Sequence, residues 1–170
     1  MTSLRTPVVA LLVLLAIVLQ VSLFSSLQID GVAPDLALLV VIAAALVRGP
    51  EYAAVLGFIA GLLVDIAPPA DHTAGRWAVA FVVSGYLAGM VRRDARSSAL
   101  AAVVVVAAGA FVATSIFALS GLLIGDQRVE VGNALHVIPV AVLYDVLLTP
   151  LVIPVVIAVL DGLQPVTDWR

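Results

Sequence analysis

Along the 170 residues, long apolar stretches alternate with short polar breaks. A bilayer's hydrocarbon core is spanned by about twenty consecutive apolar residues in a helix. The pattern predicts helices at 7–27, 32–47, 52–67, 76–91, 98–124 and 134–160. Gln28-Ile29-Asp30-Gly31 closes the first. Pro34 stands near the start of the second, where its missing N–H does no harm. Arg48-Gly49-Pro50-Glu51 makes a tight turn into the third, and Pro68-Pro69 and Gly75 bracket the loop into the fourth. Arg92-Arg93-Asp94-Ala95-Arg96 and the stretch Gly125 to Gly132 mark the last two breaks. The second stretch is short for a span, so it is expected to lie near the membrane normal or to thin the bilayer locally. The fifth and sixth are long and are expected to tilt or kink.

Composition turns these helices into membrane helices. The chain is 64% hydrophobic and 11% charged, with a mean hydropathy of +1.24. Soluble domains run at about 45–50% apolar and about 25% charged. The expected fold is therefore an all-α integral membrane protein, a compact bundle of about six transmembrane helices forming one domain over residues 1–170. The apolar run Pro7 to Leu27 is longer than the 7–15-residue core of a signal peptide and precedes no clear cleavage site, which favours a retained helix. Cysteine is absent, which excludes disulfides, thiolate metal sites and cysteine nucleophiles. The net charge of −3 is scattered, with no basic run suited to nucleic acid.

Arginine placement suggests an orientation, because cytoplasmic loops are enriched in cations. With both termini in the cytoplasm, Arg5, Arg48, Arg92, Arg93, Arg96 and Arg170 lie inside, and only Arg76 and Arg128 lie outside. Asp30, Asp35, Asp65, Asp71, Asp126 and Glu130 then mark the outer connections.

Within the third stretch, Gly57, Gly61 and Asp65 recur every four residues, and Ala53 extends the stripe. Residues four apart share a helix face, and small residues there admit a neighbouring backbone. The stripe is either an internal packing surface or a partner face. Asp65, at its outer end, is placed to cap backbone donors of the following loop or to pair with an arginine. Asp145 sits about eleven residues into the sixth stretch, and an intramembrane carboxyl is a functional-site hypothesis by default. It stands beside Tyr144 and ahead of Thr149-Pro150. Pro150 and Pro154 cannot donate to the carbonyls of Val146 and Pro150, so a kink is expected there. Asp145 either contacts a partner or solute, or is bonded inside the bundle to freed backbone or to Tyr and Thr hydroxyls.

The remaining features are weaker. Gly85/Gly89 and Gly121/Gly125 read as packing stripes, and Trp77 and Tyr52 as interfacial anchors. His72 and His136 lack convergent metal ligands. Ser84, Ser115 and Ser120 lack a base at nucleophile spacing. No catalytic set, cofactor or metal site is expected.

Taken in order, Pro34-Asp35, the run Gly57-Phe58-x-x-Gly61-Leu62-x-x-Asp65, Gly75, and Tyr144-Asp145-x-Leu147-Leu148-x-Pro150-Leu151 resemble the MreD family of bacterial rod shape-determining proteins over nearly the whole chain. The pair Tyr144-Asp145 departs from the family pattern. The resemblance implies a non-enzymatic, multi-pass subunit of the cell-elongation machinery in the bacterial plasma membrane. Its partner would be an MreC-like bitopic protein, linking it indirectly to MreB and to the peptidoglycan polymerase RodA with its transpeptidase. A partner helix would dock on the Gly57/Gly61 stripe, with Pro34, Asp35 and Asp65 as outer-rim contacts. Self-association stays open. The alternative is a substrate-binding S component of an energy-coupling-factor transporter, whose fold the MreD family resembles; the short outer loops here offer few groups to hold a vitamin.

Overall fold

The structure is a computed structural model, and it describes residues 5–23, 28, 31–68, 72–95, 98–126, 129 and 131–162. The described residues form α1 (Arg5–Ser22), α2 (Leu36–Arg48), α3 (Pro50–Ile66), α4 (Arg76–Met90), the single turn α5 (Arg92–Ala95), α6 (Ala99–Ile124) and α7 (Val131–Gly162). The six expected stretches correspond to α1, α2, α3, α4, α6 and α7. Among the described residues, only α6 and α7 are long and apolar enough by themselves to cross a membrane; α1, α2 and α4 contribute shorter apolar segments. At 1.5 Å per residue, the 13 residues of α2 reach about 20 Å, less than the hydrocarbon thickness of about 30 Å.

The short helix forms the axis of the bundle. Every residue of α2 from Leu36 to Leu46 is buried, and α1, α3, α4 and α7 pack around it. A helix that is apolar on all sides needs apolar neighbours on all sides, and here the neighbours are protein. The long helices behave differently. α6 buries Val106, Gly109, Ala110 and Ala113 along one stripe, and α7 buries Asp145, Thr149, Ile153, Val156 and Leu160. Their other faces carry exposed Leu100, Phe111, Leu123, Leu143, Leu147 and Leu151.

Local chemistry sets the boundaries. The second helix begins at Leu36 rather than 32, because the Asp35 carboxylate accepts from the N–H of Leu38 at 3.0 Å and caps the helix there. The third begins at Pro50 rather than 52, with proline in the first turn. One residue, Gly49 at φ 97°, joins the two helices, a backbone conformation that an L side chain rarely adopts. The expected first helix extended to 27; it ends at Ser22, and 24–27 lie outside the described residues. α7 runs unbroken through Pro139, Pro150 and Pro154.

Candidate functional site at the acidic end of the bundle

The C-terminus of α3 and the N-termini of α2 and α4 lie at one end of the bundle, and their polar side chains gather there. Asp65 is 1% exposed. Its Oδ2 accepts from the N–H groups of Gly75 at 2.7 Å and Ala78 at 3.2 Å, and its Oδ1 from Trp77 at 3.1 Å. These are orphan donors of the first turn of α4, whose own N-cap, Gly75, has no side chain to serve them. A carboxylate there also meets the positive end of the helix dipole. The His72 ring stands 3.7 Å from Asp65 Oδ1.

Asp65 reaches α4 because the glycine stripe brings the two helices into backbone contact. A Cβ at Gly57 would lie 2.6 Å from the Phe81 carbonyl oxygen, and one at Gly61 2.5 Å from that of Trp77. Gly85 answers from α4, where a Cβ would lie 3.0 Å from the Ala53 carbonyl oxygen. The stripe is thus the seat of α4, and a partner helix has no room in it. The docking expected on Gly57 and Gly61 is corrected accordingly.

Asp35 and Asp145, 110 residues apart in sequence, meet at the second junction. The backbone N–H of Asp35 donates to Asp145 Oδ1 at 2.8 Å. One turn of backbone is therefore capped twice, by Asp35 itself at Leu38 and by Asp145 from α7. From α1, Gln20 Oε1 accepts from the N–H of Ala37 at 3.3 Å. Pro34 and Asp35 were expected as outer-rim contacts; both are buried, because the chain turns inward to start the central helix. Of the alternatives for Asp145, its carboxylate takes a bond inside the bundle, with the Asp35 backbone as donor. The Thr149 hydroxyl donates to the backbone carbonyl of Asp145 at 2.8 Å, and Pro150 points outward, exposed. Tyr144 is half-buried.

Arg76, assigned to the outer side by the arginine pattern, is 4% exposed. Its guanidinium donates to Asp126 at 2.7 Å, to the Phe117 carbonyl at 2.8 Å and to the Ser120 hydroxyl at 3.3 Å. It also lies 3.9 Å over the Phe117 ring, within cation–π range. Trp77, expected as an interfacial anchor, stacks on the same ring at 4.4 Å and packs edge-on to Phe81. The signal available for Arg76 was that it is one of only two arginines, with Arg128, among the acidic outer connections. A Cβ at Gly121 would collide with its guanidinium, so that glycine serves Arg76 rather than a neighbouring helix.

Residues that carried the family resemblance thus come together in space: Pro34 and Asp35, Asp65 and Gly75 build the two helix junctions at this end, where Asp145, which departs from the family pattern, joins them. The family model described as rod shape-determining protein MreD matches residues 1–160. The chain belongs to the MreD family. No curated protein and no solved structure matches it, so the likeness to transporter S components gains no support. As an MreD family member it is a shape-determination protein of the membrane type, with two helices of spanning length. A cavity of about 390 Å³ at this end is lined by Gln20, Asp35, Trp77, Asn133 and Asp145 among others. A neighbouring cavity of about 300 Å³ shares Thr114, Phe117 and Asn133 with it and includes Arg76. Among the described residues no group of three His, Cys, Asp or Glu is placed to hold a metal. The Asp35, Asp65 and Asp145 carboxylates and Arg76 are engaged by the chain's own donors and acceptors. What this arrangement does chemically is fix helix ends against each other.

Proposed function

We propose that this MreD family protein is a non-enzymatic, multi-pass subunit of the bacterial cell-elongation complex in the plasma membrane, with both termini cytoplasmic. It binds an MreC-like bitopic partner and through it helps to organise the peptidoglycan synthase. The observation that carries this reading is the convergence of the resemblance residues on helix junctions. Their carboxylates order the bundle, which suits a scaffold whose working surface is its lipid-facing exterior. Because α4 fills the Gly57/Gly61 groove, the partner uses another face.

Affinity purification from native membranes in mild detergent, with mass spectrometry of the co-purifying proteins, tests this. A bitopic coiled-coil protein recovered with the peptidoglycan polymerase is the expected result. ATPase subunits recovered with a coupling membrane protein would replace the scaffold reading by transport. The chain contains no cysteine, so single introduced cysteines near residues 28 and 93 report topology directly. A membrane-impermeant thiol reagent should label the first from outside the cell and spare the second.

A further inference from the structure

At the end opposite the acidic junctions, α2 runs into α3 through Gly49 alone, and two guanidiniums flank that turn. Arg48 closes α2, where it offsets the negative end of that helix dipole. Its side chain leans toward the Tyr52 ring, 5.8 Å from the centroid, and its Nε is buried with no hydrogen-bond acceptor among the described residues. Arg92, from α5, lies over Gly49; a Cβ there would meet its Nη1 at 2.8 Å. Arg93 follows, exposed. The positive end of α3 opens at the same turn with no side-chain cap, its first-turn acid Glu51 exposed. The ion pairs His72–Asp65 and Arg76–Asp126 both lie at the other end of the bundle. Asp94, beside Arg93, is exposed and has a partner of its own.

Tyr52 also stands at the mouth of a second feature. A cleft of about 410 Å³ runs between α1 and α3, walled by Val9, Val13, Leu14, Val55 and Ile59. From Tyr52 to Leu63 it extends about 16 Å along α3 at 1.5 Å per residue. Apart from Tyr52 its walls are apolar, and its outer edge is formed by exposed Leu14, Val55 and Ile59.

We propose that the turn at Gly49 with Arg48 and Arg92 binds the phosphodiester of an anionic phospholipid, one of whose acyl chains lies in the α1–α3 cleft. Each half of the site specifies half of the ligand. Guanidinium groups donate in a fork that matches phosphate oxygens, and no side chain among the described residues gives the Arg48 Nε an acceptor. The cleft needs an apolar chain that starts beside that phosphate. A free anion satisfies only the first requirement and a partner's apolar helix only the second. The inference rests on the membrane placement of the chain and is independent of which protein it binds.

Native mass spectrometry of the full chain in detergent tests it, with phosphatidylglycerol and phosphatidylcholine of identical acyl chains titrated in parallel. Wild type is expected to retain phosphatidylglycerol several-fold better. A basic residue near the membrane surface contributes about 1 kcal/mol toward an anionic lipid, so Arg48→Gln or Arg92→Gln should each weaken phosphatidylglycerol retention about fivefold. Arg93→Gln removes the same charge outside the fork and should change it far less. Val55→Trp, which fills the cleft from its exposed edge, should weaken retention of both lipids. Equal retention of the two lipids by wild type would overturn the proposal without recourse to any variant. So would a loss in Arg93→Gln as large as in Arg48→Gln, which would reduce the effect to diffuse charge. Displacement of the lipid by inorganic phosphate, at an ionic strength where chloride does not displace it, would reassign the turn to a free anion.

Discussion

Asp65 and Asp145 perform the same task over very different distances along the chain. Each is buried, and each accepts from backbone N–H groups at the start of a helix other than its own. Asp65 serves three donors that lie 10 to 13 residues away, across a hairpin whose two helices touch backbone to backbone. Asp145 serves one donor 110 residues away, at a junction that Asp35 also caps locally and Gln20 joins from α1. The hairpin concentrates its polar satisfaction in a single side chain, whereas the central junction shares it among three helices. The first arrangement should fail sharply when touched and the second gradually.

The most damaging change breaks the hairpin where side chains cannot yield. Gly61→Leu places atoms inside the α4 backbone, and overpacking of a fitted contact costs about 1–3 kcal/mol or more. The helices must part, and the purified variant is expected to lose its monodisperse peak on size exclusion. Asp65→Ala comes next. It strands three backbone donors, and a buried group left unpaired costs about 1–3 kcal/mol. The loss, read by steric-trapping unfolding, should be several times that of Asp65→Asn, which keeps one acceptor oxygen.

The central junction is tested with a smaller expected effect. Asp145→Leu strands the single N–H of Asp35 and should cost about 1–3 kcal/mol by the same measurement. Asp145→Asn retains an acceptor and should stay within about 1 kcal/mol of wild type. If Asn were as damaging as Leu, the negative charge and not the hydrogen bond would be what the junction requires. Thr149→Val is the mildest. It removes a hydroxyl that bonds its own helix at the Asp145 carbonyl, so thermal unfolding should move by about 1 kcal/mol or less.

The contrast also shows what could be read without coordinates. The Gly57-x-x-x-Gly61-x-x-x-Asp65 spacing places three residues on one face whatever the tertiary arrangement, and the start of the next helix supplies the donors. The stripe did not reveal which helix fills it. Small residues advertise a close approach, and an internal neighbour and a foreign one satisfy that equally. Asp145 was conspicuous as an acid within an apolar stretch, but nothing near it in sequence points to Asp35. Arg76 read only as one of two cations on the outer side, and nothing in the sequence gathers Asp126, Phe117 and Ser120 around it.

The alternation of apolar stretches and polar breaks determined that the chain is a helical bundle suited to a lipid environment, and roughly where each long helix runs. Those properties follow from hydropathy and from local stop signals such as Asp35, Gly49-Pro50 and Gly75, which act within a few residues. Tertiary structure decided which helix lies at the centre. α2 and α6 are similarly apolar, yet α2 is buried among its neighbours while much of α6 is exposed. Lipid tails and leucine side chains are alike as apolar surroundings, so hydropathy cannot distinguish a protein neighbour from a lipid one. Backbone approach at the glycines and the pairing of distant polar groups make that distinction, and both exist only once the helices have packed.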